Sequence, residues 1–117
     1  MIALPPLVRV FLYRHATDMR KSFNGLYALV SGALEHDPLS GHLFVFCNRR
    51  RDRIKILYWE RSGFVLWMKR LERERFHWPR DEHATVTLTG QELNWLLDGF
   101  DLARWRPHTA LHFDAVA

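Results

Sequence analysis

The stretch HLFVFCNRRRDRIKILYWERSGFVLWMKRL, His42 to Leu71, decides the fold. Three runs rich in apolar, β-branched and aromatic residues, His42–Cys47, Arg53–Trp59 and Phe64–Leu71, read as strands. Between them lie only the turn-type segments Asn48–Asp52 and Glu60–Gly63. Connections this short force antiparallel hairpins, because a parallel crossover needs roughly a dozen residues or more. The middle of the chain is therefore expected to be a three-stranded antiparallel meander. Side chains alternate along a strand, so Arg53, Lys55, Leu57 and Trp59 share one face, and Ile54, Ile56 and Tyr58 the other. On the next strand Val65, Trp67, Lys69 and Leu71 lie opposite in sense to Phe64, Leu66, Met68 and Arg70.

Working outward, Val8–Tyr13 reads as a first strand. Phe23, Leu26, Tyr27, Val30 and Leu34 then recur at helical spacing and predict a helix over 19–34, capped by Thr17 or Asp18 and weakened by Gly25 and Gly32. Glu35–Gly41, with Pro38, is a loop. Downstream, Phe76–Trp78 is expected to pair briefly before Pro79, and Ala84–Leu88 to form a further strand. Thr89–Phe100 is the clearest helix. Thr89 and Glu92 have capping-box spacing, Leu93, Leu96, Leu97 and Phe100 form its apolar face, and Gly99 marks its end. The expectation is a single α+β domain over 1–107, an antiparallel meander with two main helices packed against it, followed by a tail at 108–117.

At 117 residues, 48% hydrophobic and 14% aromatic, the chain is long and apolar enough to bury a core without staples. Its single cysteine, Cys47, excludes an intramolecular disulfide and fits a reducing, cytoplasmic setting. The N-terminal sequence does not have the pattern of a signal peptide, and no apolar run approaches a membrane span, so no membrane partner is expected.

The net charge of +4 is unevenly placed. Residues 48–80 hold eleven Lys or Arg against four Asp or Glu, a balance of +7, which leaves the remainder at −3. Concentrated cations point to a polyanion, against the plainer reading of a solvated basic sheet edge that resists aggregation. Arg49, Arg50, Arg51, Arg53 and Lys55 surround an exposed hairpin tip, where guanidinium groups can take phosphate oxygens two at a time. Lys69, Arg70, Arg73 and Arg75 form a second group, interleaved with Glu72 and Glu74, which will pair with some of them. Aromatics on the same strands could stack bases, but packing under the helices is the better expectation for Trp59 and Trp67.

Catalytic constellations are thin. His108 and His112, and His77 and His83, lack a Cys pair or an HExxH frame, and no metal or other cofactor is expected. Asp18, Asp37, Asp52 and Glu60 are the acids a two-metal nuclease would need, but all lie in turns, which favour such residues for local reasons. Cys47 and His42 are five apart on a strand and so face opposite sides, which argues against a Cys–His nucleophile.

Three blocks, TDMRKSFNGL (Thr17–Leu26), Asp37–Pro79 and LTGQELNWLLDGF (Leu88–Phe100), together resemble the TnpB-type accessory protein encoded by the second reading frame of insertion-sequence family 66. The resemblance runs from about Val8 to Pro107, through Thr17, Asp18, Met19, Arg20, Lys21, Ser40, Gly41, Arg53, Lys55, Trp59, Gly63, Lys69, Arg70, Leu71 and Glu72. Ser22, Asn24 and Glu74 depart from it, standing where the family often has Gly, Asp and Gly. It implies a non-catalytic role in transposition beside a separate, larger transposase. The leading expectation is thus a factor that binds DNA phosphates with little sequence preference, bridges to the transposase, or both. The alternatives are a pure protein-interaction module, with Trp95 and Trp105 as exposed anchors, and a metal-dependent nuclease.

Overall fold

The computed structural model describes residues 4, 7–79 and 85–102. The elements run β1 (Val10–Tyr13), α1 (Phe23–Ser31), β2 (Leu43–Cys47), β3 (Arg53–Glu60), β4 (Gly63–Arg70), β5 (Thr85–Leu88) and α2 (Gly90–Leu97). The five strands form one sheet in the order β4-β3-β2-β1-β5. β2, β3 and β4 make the expected antiparallel meander, with Val45 opposite Ile56 and Ile56 opposite Trp67. One pairing departs from an all-antiparallel sheet: β1 runs parallel to β2, Val10 facing Leu43. The long connection through α1 supplies the crossover that a parallel pair requires. β5 then closes the far side, antiparallel to β1.

Alternation along the strands feeds two cores, one on each face of the sheet. One gathers Val10, Leu12, Val45, Ile54, Ile56, Val86 and Leu88 under Leu93, Leu96 and Leu97 of α2. The other gathers Phe11, Phe44, Phe46 and Leu57 under Leu26, Val30 and Leu34 of α1 and its exit. β2 lies between both helical layers, and all five of its residues are buried. This explains its unbroken apolar sequence LFVFC, which is the pattern of a strand covered on both sides. Trp67 packs against the α2-side core, and Trp59 meets the Phe64 ring edge-on at 5.1 Å.

The first helix is shorter than its periodicity suggests. It begins at Phe23, with Ser22 as N-cap and no side-chain cap, instead of at residue 19 with Thr17 or Asp18. Residues 18–21 form a turn: the Asp18 carboxylate accepts from the Arg20 N–H, and the Lys21 N–H bonds to the Asp18 carbonyl. At the other end the helix stops at Gly32, and Glu35 takes a left-handed backbone (φ 54°), while Leu34 stays buried. Of the apolar stripe, Phe23 and Tyr27 remain 44% and 40% exposed. Phe76–Trp78 forms no strand, yet both aromatic rings are buried in the α2-side core. The expected strand start at Ala84, and the tail at 108–117, lie outside the described residues.

The last helix follows its sequence signature. The Thr89 hydroxyl accepts from the Glu92 N–H, and the Glu92 carboxylate accepts from the Thr89 N–H, both at 3.0 Å. Gly99 (φ 97°) ends the segment, and Phe100, expected on the apolar face, is half-exposed just beyond it. Because the box satisfies two otherwise free donors, Thr89→Ala should cost about 1 kcal/mol of stability in chemical denaturation. A loss well under half of that would mean the cap is redundant.

Candidate nucleic-acid interface

The β2–β3 turn is built by one asparagine. The Asn48 side-chain oxygen accepts from the N–H groups of Asp52 and Arg53, both at 3.1 Å, and its amide donates to the Asp52 carboxylate at 2.7 Å. That side-chain bond, helped by Arg50, holds the Asp52 carboxyl below the usual carboxylate range. Arg51 adopts a left-handed backbone (φ 62°), which a non-glycine residue reaches only at a cost.

The left-handed residue turns its carbonyl to a distant part of the chain. Phe76 donates its N–H to the Arg51 oxygen and Leu71 donates to the Asp52 oxygen, both at 2.7 Å. The segment after β4 is thereby laid along the β2–β3 turn. Phe76 and Trp78 lock it there, since both are buried and the Trp78 indole N–H donates to the Arg14 carbonyl at 3.2 Å. The two cationic runs of the sequence are thus brought side by side along their backbones. Arg49, Arg50, Arg53, Arg70, Arg73 and Arg75 are all exposed in this region.

Within this surface Arg53 and Arg70 are direct cross-strand partners. Like charges in that position repel, a cost relieved when an anion lies between them. Glu72 neutralises part of the pair by accepting from Arg70 at 2.8 Å, and Asp52 lies 4.0 Å from Arg50. Among the described residues, Arg49, Arg53, Arg73 and Arg75 have no carboxylate within ion-pair distance.

Three of the residues picked out by charge alone are differently placed. Lys55 is only 8% exposed, and its ammonium donates to the carbonyls of Met19 (2.8 Å) and Lys21 (2.7 Å). It clamps the 18–21 turn onto β3, so its charge is spent inside the fold. Lys69 donates to the Leu97 carbonyl at 2.9 Å, where a cation suits the negative end of α2. Arg51 is half-buried and contributes chiefly its backbone. Sequence reasoning missed the clamp, although a lysine between Ile54 and Ile56, on the face shared with Leu57, was its signal.

The remaining candidates have local roles. Asp18 accepts from the Arg20 guanidinium through both carboxylate oxygens; that side-chain bond, more than any other cause, brings its pKa down to about 2. Asp37 accepts from the Leu39 N–H in its own turn. Glu60 is exposed at the β3–β4 turn. Among the described residues no group of three or more His, Cys, Asp or Glu is placed to hold a metal ion. Burial pushes the Cys47 thiol up to about 12, which leaves it protonated and unreactive. Trp95 is partly buried against the α2-side core, while His83, Trp105, His108 and His112 lie outside the described residues. Among the described residues no helix is long and apolar enough to cross a membrane.

This chain belongs to the family described as IS66 Orf2-like protein, which matches residues 8–107. That membership ties it to the transposition of insertion sequences, in an accessory family not known as catalytic. It is 38% identical over 104 residues to the Sinorhizobium fredii (strain NBRC 101917 / NGR234) protein named uncharacterized protein y4hO, covering 86% of this chain and 90% of that one. It is 36% identical over 97 residues to uncharacterized protein y4jC of the same strain, covering 83% of each. No solved structure matches the chain.

The clamp separates structural from ligand-facing cations. Lys55→Met keeps the apolar stem but leaves two carbonyls without their charged donor, so it should lower stability by about 2 kcal/mol. Arg49→Ala, in the exposed turn, should stay within about 0.5 kcal/mol of the parent. Equal melting curves for the two variants would contradict this division.

Proposed function

We propose that this chain is a non-catalytic accessory factor that holds DNA by its phosphates and presents it to the element's separate transposase. The observation that carries this reading is the joining of Arg49, Arg50 and Arg53 to Arg70 by the β3–β4 register, and to the segment of Arg73 and Arg75 by the two backbone bonds from Leu71 and Phe76. An arginine-rich surface on a hairpin tip is preorganised, since the Asn48 network sets the turn before any ligand arrives. Phosphate contacts of this kind position a protein on DNA and carry little sequence information. No helix presents a row of base-reading side chains among the described residues, which supports weak sequence preference.

The four arginines that carry no ion pair among the described residues set the expected scale. Each neutralised phosphate contributes a slope of about −0.9 in log affinity against log salt on duplex DNA, so the total should be near −4. Arg49→Ala with Arg53→Ala should flatten this by about 2, and Arg73→Ala with Arg75→Ala by about the same amount. The loss should be similar on unrelated sequences, and both double variants should melt like the parent. An unchanged slope in either folded variant would remove its run from the interface. Failure of the parent to bind DNA at low salt, with the transposase still co-purifying, would favour the pure protein-interaction reading.

A further inference from the structure

The sheet ends on two unlike edges. β5 is four residues long, and a short edge is one way that proteins keep strands from pairing with other chains. β4 is eight residues long and keeps an unbroken register with β3 from Gly63 to Arg70. It has no bulge, no proline and no charge before Lys69. The Leu71 N–H points back to Asp52, and polar groups alternate sides along an antiparallel strand. Counting back by twos, Lys69, Trp67, Val65 and Gly63 face β3. Arg70, Met68, Leu66 and Phe64 direct their N–H and C=O outward, away from the sheet.

Among the described residues no strand pairs with this edge, and apolar side chains rim it. Met68 is 58% exposed, and Phe23 and Tyr27 stand half-exposed on α1, with the Tyr27 ring meeting Phe64 edge-on at 5.7 Å. Phe64, Leu66 and Met68 share the α1 side of the sheet with them.

We propose that β4 pairs with β4 of a second copy of this chain, antiparallel about a two-fold axis at Leu66 or Trp67, joining two five-stranded sheets into one. The edge is complementary to itself, which selects this occupant, and charge sets its direction. The cationic surface lies at the Arg70 end of β4, while the turn at the opposite end carries one exposed acid and one exposed base, Glu60 and Arg61. Antiparallel pairing sets each Arg70 end beside the partner copy's neutral turn and sends the two cationic surfaces to the far ends of the dimer. Parallel pairing would bring those surfaces together. Packing agrees, because a two-fold axis normal to the sheet keeps each face on its own side. Met68 then lies opposite Phe64 or Leu66 of the second copy, and the exposed apolar rim is covered across the seam.

Sedimentation across the micromolar to submillimolar range, with amide hydrogen exchange at low and high concentration, tests this. The expected result is a monomer–dimer equilibrium in which the Leu66 and Met68 amides slow as concentration rises. Met68→Lys places a charge at the seam, and should weaken the dimer by about tenfold or more with melting of the monomer unchanged. Met68→Pro removes an outward N–H without touching the β3 ladder, and should do the same. A monomer at every concentration overturns the proposal. So does a dimer that survives both substitutions, or protection of Leu66 and Met68 that does not depend on concentration, which would mean the edge is covered within one chain. DNA binding by the monomer is unaffected by any of these outcomes.

Discussion

The two backbone bonds from Phe76 to Arg51 and from Leu71 to Asp52 tie the β2–β3 turn to the chain that follows β4. To supply the first, Arg51 must hold a left-handed backbone, a conformation stabilised here by the Asn48 network on either side of it. In return, the chain after β4 is drawn across the turn, and Phe76 and Trp78 fill the α2-side core. Without that segment the core would lose two large aromatics, and Arg73 and Arg75 would lie apart from the arginines at 49–53, which the β3–β4 ladder joins only to Arg70. Packing and surface charge therefore depend on the same few atoms.

A second constraint acts on the other face. Lys55 is a buried cation whose charge is met by two carbonyls of the 18–21 turn. Those carbonyls stand outside α1, which begins only at Phe23. The Thr17 N–H bonds to the Cys47 carbonyl and brings the same segment to the end of β2. The TDMRK sequence thus serves as a strap between β1 and α1, fixed at both ends by groups of the central strands.

What could be read in advance follows from range. Alternation along β3 and β4, the short turns and the Thr89–Glu92 box are local, and each appears in the structure as its spacing requires. The start of α1 departs from its sequence pattern because Thr17 and Asp18 have the chemistry of caps, while the competing bonds come from Lys55, more than thirty residues away. The parallel pairing of β1 with β2 is signalled only by the strand–helix–strand order of the first third of the chain, a sign that no single turn carries. In the candidate interface, charge density located both arginine runs but could not show that they join. Nor could it separate Lys55 and Lys69, which serve the fold, from the arginines exposed to solvent. That distinction depends on which carbonyls lie within reach after folding.

The joined surface is the central claim, and the most direct measurement is the change in backbone amide resonances on titration with a short duplex. The account predicts that amides of residues 48–53 and 70–76 shift together, along one binding curve, while those of β5 and α2 stay in place. Shifts confined to one of the two runs, or centred on another face of the sheet, would contradict it.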